Sequence, residues 1–450
     1  MILSQDTICA LATPAGGAIG VIRLSGKDSI EIANNIFSRD IKEAKANNVI
    51  YGYITSNDGT IIDDVLLTIF RAPHSYTGED SVEISCHGSR FIISEILRLL
   101  IENGCRQALP GEYTQRAYLN GKLDLSQAEA VADLIASTNQ ATHKLAMSQL
   151  RGNFSSELAN LREQLLHITS LLELELDFSE EDVTFADRQQ LLTLAESIHN
   201  HISKLALSFR TGQAIKQGIS VAIVGNTNVG KSSLLNCLVG ENRAIVSDIH
   251  GTTRDTIEEV ININGIAFRL IDTAGLRTTA DEIEQIGIER TQQKIQEVSI
   301  VVWMNDTIPS SDSIAEMEEH TKGKHLIKVL NKCDLIPEPL ANNASSDFLR
   351  ISAKQSIGID TLKESIYSAA NLPSFTQNDV IVTSARHYDS LLKADQDILR
   401  VIDSLNLQLS GDLISEDLRL CIDHLSDIVG GTIQTDEVLG SIFSHFCIGK

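Results

Sequence analysis

No stretch of about 18 uninterrupted apolar residues occurs in the 450-residue chain, so the sequence holds no candidate transmembrane helix. No basic region precedes an apolar run in the opening MILSQDTICALATPAGG, so no secretory leader is read there. A soluble, cytoplasmic protein with no membrane partner is expected. The seven cysteines (Cys9, Cys86, Cys105, Cys237, Cys333, Cys421, Cys447) are odd in number and lack CxxC or Cys/His metal spacing. No structural metal site is visible in that pattern, which fits free thiols in a reducing compartment. Basic residues are also scarce: 37 Lys and Arg face 60 Asp and Glu, a formal net charge of -23. Such a chain repels polyanions at long range, so contact with a nucleic acid needs a local basic patch or a second protein.

What is present begins with length, which at roughly 100–200 residues per domain predicts two to four domains. The first part, to about Leu123, reads as α+β. Val49–Phe70 reads as two strands joined at Asn57-Asp58-Gly59, where Asx-Gly tolerates the positive φ of a tight turn. SVEISCH is a further strand, and Arg90–Glu102 a helix closed by Asn103-Gly104. From Asp124 apolar residues recur every three or four positions (Leu158, Leu161, Leu165, Ile168, Leu172), predicting long helices to about Phe209, with Asn153 as an N-cap. The same texture returns in Thr383–Ile402 and in Leu413–Val429, the latter ending at Gly430-Gly431.

Between the helical halves, ISVAIVG is a continuous apolar run of the kind found in buried parallel strands, and it leads into GNTNVGKS. This strand-then-helix context is that of a phosphate-binding loop. Backbone amides of Asn228, Val229 and Gly230 curl around the β-phosphate, Lys231 neutralises β and γ oxygens, Ser232 ligates Mg²⁺, and Ser233 continues the loop into the helix. Downstream, the loop Ser247-Asp248-Ile249-His250-Gly251 leads to Thr252 and Thr253, which supply a switch threonine whose hydroxyl can complete the Mg²⁺ shell. Glu258–Ile271 reads as a strand pair turned at Asn264-Gly265, delivering Asp272-Thr273-Ala274-Gly275 to its end. HLIKVL runs into Asn331-Lys332-Cys333-Asp334, and Ser352-Ala353-Lys354 follows FLRI. Asp334 can accept from guanine N1–H and N2–H₂ together, a pattern adenine does not offer. These motifs, in this order, predict a GTP-hydrolysing domain.

The position after DTAG is Leu276, which lacks the glutamine that orients water in small Ras-like GTPases. Glu284 is the candidate for that role, and a solvated helix-face glutamate is the alternative. Asn228 is read either as bonding within its own loop or as a carbonyl ligand to a monovalent cation, with Arg254 and Arg277 as rival arginine fingers. Three other readings compete. A ribosome-assembly GTPase of the Era type needs a basic appendage that is not visible, and a prenylated switch fits Cys-Ile-Gly-Lys poorly. A GTP-binding scaffold would follow if Leu276 meant lost catalysis.

GNTNVGKSSLLN, DIHGTTRD, DTAGLR and IGIER together resemble the TrmE–Era–EngA group of bacterial GTPases. ATPAGGAIGVIRLSG, YTGEDSVEISCHG, PGEYTQRAYLNGKLDLSQAEAVADLI and the terminal FCIGK narrow this to the MnmE (TrmE) family of tRNA-modification GTPases, over the whole chain. The resemblance implies a folate-binding, dimerising N-terminal domain (1–123), an all-α domain from both chain ends (124–217 and 374–450) and an inserted α/β Ras-like GTPase domain (218–373). It implies a potassium-activated homodimer acting with the FAD-containing MnmG on wobble uridine 34 of certain tRNAs. The chemistry would install a carboxymethylaminomethyl or aminomethyl group at C5. Potassium would be ligated by Asn228, Ser247, Ile249 and Thr252, Mg²⁺ by Ser232 and Thr253, and hydrolytic water placed by Glu284. A 5-formyl- or methylene-tetrahydrofolate would meet Arg23, Glu83, Lys122 and Lys450; Cys447 would be the family's tail cysteine, a candidate for redox or covalent chemistry. The family's HGG is His87-Gly88-Ser89 here, so that turn is expected to differ slightly.

Overall fold

The computed structural model describes residues 6–177, 188–241, 258–272, 295–335, 347–373, 376, 379–431, 439, 442, 443, 446 and 449. The chain divides into two compact units: Met1–Ile135 with Ala146–Ser203 and Asp389–Lys450, and Ala136–Leu145 with Lys204–Tyr388. The second unit is therefore an insertion in the first.

The first unit opens with β1 (Ile8–Leu11), β2 (Ile19–Ser25), α1 (Ser29–Ile36), β3 (Val49–Thr55), β4 (Ile61–Phe70), β5 (Ser81–His87), α2 (Arg90–Glu102), β6 (Arg106–Gln107) and α3 (Glu112–Leu119). The strands form one sheet in the order β3-β4-β5-β2-β1-β6, antiparallel except for β1 with β6. Period-two alternation sets its two faces. Ile22, Leu24, Val65, Leu67, Val82 and Ile84 pack under Ile32, Ile36, Ile96 and Leu100 of α1 and α2. The opposite face carries Arg23 and Glu83, which sit directly across from one another in the β2–β5 register.

The helices follow as α4 (Leu125–Ala136), α5 (Gln140–Leu150), α6 (Asn153–Asp177) and α7 (Arg188–Gln217). Asn153 is the first residue of α6 rather than its cap; Gly152, at φ +82, precedes it, and the Asn153 amide donates to Ser148 Oγ at 3.0 Å. α7 runs on to Gln217, past Phe209, although it contains Gly212, a helix-weakening residue. A Cβ at Gly212 would lie 2.0 Å from the Val382 carbonyl oxygen. Only glycine admits that backbone approach, and tertiary contact thereby overrides the local propensity.

The second unit is a six-stranded sheet of β7 (Ile219–Gly225), β8 (Glu258–Ile263), β9 (Ile266–Asp272), β10 (Ile300–Asn305), β11 (His325–Leu330) and β12 (Leu349–Arg350). Its order is β12-β11-β10-β7-β9-β8, parallel except for the β8–β9 hairpin. α8 (Lys231–Glu241), α9 (Ser311–His320) and α10 (Ile359–Ala369) accompany the strands, with a 3₁₀ turn at Cys333–Leu335. All six residues of β10 are buried, so both faces of the sheet are covered there, and the central strands β7 and β10 read as largely apolar runs. In such sheets ligands bind beyond the carboxyl ends of the strands.

The chain returns through α11 (Ala385–Asn406) and α12 (Gly411–Val429). α11 starts two residues after Thr383, whose carbonyl is taken by Gln213 at 2.9 Å. α12 lies along α6, with Ile414, Leu418, Leu425 and Ile428 buried at helical spacing and Arg419 paired to Glu173 at 2.8 Å. Among the described residues no helix is long and apolar enough to cross a membrane. The fold is multidomain: α+β, all-α, and an inserted α/β unit.

Candidate functional site

The carboxyl end of β7 turns sharply at Gly225, where φ is +151 and a Cβ would lie 2.2 Å from the Met304 carbonyl oxygen of β10. The loop then passes Asn228, exposed and left-handed at φ +64, a conformation that asparagine tolerates better than most residues. Val229 is buried, and Gly230, at φ +100, leaves no room for a Cβ, which would fall 2.3 Å from Asn331 Nδ2. Lys231 begins α8 and its ammonium donates to the carbonyls of Gly225 (2.6 Å) and Asn226 (2.8 Å). Ser232 and Ser233 stand exposed in the first turn of α8, where unpaired helix amides favour an anion.

Asn331, 3% exposed, joins three motifs. Its Nδ2 donates to Val229 O at 2.7 Å, its Oδ1 accepts from Ala353 N at 3.0 Å, and its own N–H donates to Asn305 O at 2.7 Å. Cys333 N–H donates to Ile351 O at 3.1 Å, which holds the Ser352-Ala353-Lys354 turn beside the Asn331–Asp334 segment. Asp334 and Lys354 remain exposed, while Ser352 is buried. Asp272 ends β9 opposite Ile223 of β7, on the same side of the sheet as the loop.

A second cluster lies on the outer face of the first unit's sheet. The Arg23 guanidinium pairs with Glu83 Oε1 through Nε (2.9 Å) and Nη2 (2.8 Å), and it lies 5.6 Å from the ring centre of Tyr76 and 5.7 Å from that of Tyr113. Arg23 Nη1 also donates to Gly449 O at 3.4 Å, so the tail of the chain returns to this cluster. Lys122 donates to Pro73 O at 3.0 Å, on the loop between β4 and β5 that carries Tyr76. Beneath that loop Arg116, 2% exposed, pairs with Asp6 (2.8 Å), Glu79 (3.2 Å) and Glu112 (3.0 Å). Burial pushes the Glu112 carboxyl up, but hydrogen bonds from Arg106, Leu109 N–H and Arg116 outweigh it and hold the group below the usual glutamate range.

The family model for the MnmE helical domain matches residues 125–447, and that for the GTP-binding protein TrmE N-terminus matches residues 7–122. The tRNA modification GTPase MnmE of Bacteroides fragilis is 54% identical over 470 aligned positions spanning the whole of both chains. The chain belongs to the MnmE family. The protein of that name from Flavobacterium johnsoniae is 49% identical over 468 positions, again covering all of both chains. Aquifex aeolicus Era bound to GDP and AlF4⁻ aligns over 40% of this chain and 66% of its own, at 28% identity and a TM-score of 0.27.

In this MnmE-family chain the structure brings Asn228 to Ser233 together with Asn331 to Asp334 and Ser352 to Lys354 at the carboxyl ends of β7, β11 and β12. It brings Arg23 and Glu83 together at another place, with Lys122 on the adjoining loop. Ser247, Asp248, Ile249, His250, Gly251, Thr252, Thr253, Thr273, Ala274, Gly275, Glu284, Cys447 and Lys450 lie outside the described residues, as do Arg254, Leu276 and Arg277. The other six cysteines are free. Ser89 occupies the N-cap position of α2, and Gly88 before it is closed in by Gly17 O, 1.8 Å from where a Cβ would sit.

Sequence reasoning missed Asp306, which pairs with Lys332 at 2.9 Å, and the Tyr76 and Tyr113 rings around Arg23. It also missed the Arg116 network. Glu112 and Arg116 stand four apart on a short helix, the one local signal available for it. The other partners lie 37 and 110 residues away and leave no mark in the sequence.

Proposed function

We propose that this protein is a GTP hydrolase acting in tRNA modification, a potassium-activated switch that works as a homodimer with the FAD-containing MnmG. The observation that carries the reading is the join at Asn331, which ties the phosphate loop to both base-selecting segments within a chain of this family. Lys231 and the α8 amides would hold the phosphates, Asp334 the guanine edge, and Ser232 with Thr253 a Mg²⁺ ion that supplies charge neutralisation when bound. The groups present suit both partners: the Lys231 ammonium and the first amides of α8, unpaired by the helix itself, fit the phosphates, and the Ser232 hydroxyl is an oxygen ligand of the kind Mg²⁺ takes.

Asn228, exposed at the top of the loop, supports the cation reading, with Ser247, Ile249 and Thr252 as further ligands and Glu284 placing water. Potassium beside the β–γ bridge would supply the positive charge that an arginine finger supplies elsewhere. GTP turnover in potassium chloride is expected to exceed that in sodium chloride at equal ionic strength by at least about tenfold, a conservative floor beside the roughly 10³-fold or more that an arginine finger contributes. The Asn228→Ala variant is expected to lose that acceleration. Equal rates in the two salts, or acceleration that survives in the variant, overturn the potassium reading.

In the first unit, Arg23, Glu83, Lys122 and Lys450 form the proposed contacts for a tetrahydrofolate one-carbon donor. Cations there would suit its glutamate tail, and a carboxylate its pterin edge. Cys447, on the same tail, is proposed for redox or covalent chemistry. On the edge strand β3, Val49, Tyr51 and Tyr53 are 61%, 58% and 40% exposed and, with Leu66 beside Tyr51, leave an apolar stripe that supports dimerisation. Nucleoside analysis of tRNA from cells lacking this chain tests the reaction. Loss of the C5 carboxymethylaminomethyl or aminomethyl group from wobble uridine is expected, and an unchanged nucleoside profile refutes the assignment.

A further inference from the structure

Asp306 immediately follows β10, and no motif of the nucleotide site contains it. Its Oδ2 lies 2.9 Å from Lys332 Nζ, and the two side chains are 38% and 37% exposed. The Lys332 hydrogen bond holds the Asp306 carboxyl below the usual aspartate range. Lys332 is also left-handed, at φ +62, a conformation that costs an L-residue free energy and is kept only where its surroundings hold it. The end of β10 thus grips two consecutive residues: Asn305 O accepts from Asn331 N–H at 2.7 Å, and Asp306 takes the Lys332 ammonium. Two residues on, Asp334 sits in a single 3₁₀ turn, Cys333–Leu335, closed by Leu335 N–H to Lys332 O at 3.0 Å. The carboxylate that would read the base therefore projects from a turn whose first carbonyl belongs to Lys332.

We propose that Asp306 is a positioning residue for guanine recognition: by fixing Lys332 in its left-handed conformation it aims Asp334 at both the N1–H and the exocyclic amine of the base. The inference rests on the reading that Asp334 faces the base. If the pair is broken, Lys332 relaxes toward negative φ and the turn carrying Asp334 rotates. The bidentate contact is then the first to be lost, while the phosphate loop, held through Asn331, is untouched.

Inosine diphosphate separates these two effects because it lacks the 2-amino group and offers Asp334 one donor instead of two. With the full chain, Asp306→Asn is expected to raise the Kd for GDP about fivefold, the upper range for a half-exposed ion pair. The Kd for inosine diphosphate should change less than about twofold, so the preference for guanine falls. Lys332→Met, which keeps the stem and removes the ammonium, should reproduce that pattern, and the double variant should be no worse than either single one. Equal weakening of both nucleotides, no weakening, or additive effects in the double variant would each overturn the proposal. Asp334→Asn is the control for the underlying reading. It should shift preference from GDP toward xanthosine diphosphate, and if it leaves GDP binding unchanged then the base contact itself is wrong, whatever Asp306 does.

Discussion

Asn331→Ala is expected to weaken GDP binding by roughly 100-fold. The side chain is 3% exposed and satisfies two main-chain groups on different segments, Val229 O at 2.7 Å and Ala353 N at 3.0 Å. Alanine leaves both unpaired, and a buried unpaired group costs about 1–3 kcal/mol. Without nucleotide the two segments can separate and hydrate those groups. Binding must then reassemble them, so the penalty falls on affinity. At about 1.4 kcal/mol per tenfold, two such groups near the low end of that range give the stated factor. Titration with a fluorescent GDP analogue measures it. Asn331→Asp keeps the acceptor for Ala353 and loses the donor to Val229, so an intermediate loss is expected, and a change below threefold in the alanine variant would show that the join does not control the site.

Removing Arg116 is expected to have the largest effect on stability, and it acts far from the nucleotide. Arg116 and Glu112 are 2% and 1% exposed, and Asp6 and Glu79 complete a ring of three carboxylates around one guanidinium, with Arg106 at its rim. Deleting one member of a buried charge pair costs about 3–5 kcal/mol, because the remaining charges stay desolvated and uncompensated. Arg116→Ala should therefore lower hydrogen-exchange protection of β1, β2 and α3 by at least about 100-fold, while β7 and β10 in the other unit keep theirs. Arg116→Met combined with Glu112→Gln should recover part of the loss. Protection that is unchanged in Arg116→Ala would mean the network contributes little.

The same network sets a pH dependence. Glu112 is depressed in the folded chain, so its contribution is fully present above the unfolded glutamate value, about 4.3, and is lost as pH falls through its lower folded value. The first unit should therefore weaken progressively below about pH 4. In Arg116→Ala the acid-induced loss should be shallower, since Glu112 has lost one of the donors that depress it.

Much of the proposed nucleotide site was legible because its chemistry is local. A loop of main-chain amides followed by a lysine and a serine needs its residues in one short run, and Gly225 through Ser232 are such a run. The strands behind it were legible because a parallel sheet buried on both faces favours apolar residues, which make up most of β7 and β10. The β3–β4 hairpin was legible for a similar reason: Gly59, at φ +83, forms the turn the sequence predicted.

The failures have a common physical origin. The extension of α7 past Phe209 was decided by a contact with a residue distant in sequence, Gly212 against Val382. Arg23 gave no hint that Tyr76 and Tyr113 would enclose it, because the rings come from a loop and a helix 53 and 90 residues further along. A side chain carries its own charge and hydrogen-bonding capacity in the sequence, but not its partner.

By itself, then, the sequence determined the order of the elements, the residue runs proposed as phosphate loop and base-selecting segments, and the family. Each depends on residue type and short-range spacing. Only the tertiary structure decided that Asn331 joins three motifs, that Asp306 holds Lys332, and that a buried arginine supports the loop beside Arg23. Hydrogen bonds and ion pairs form at about 3 Å between whatever groups the fold brings within reach, and separation along the chain does not encode that distance.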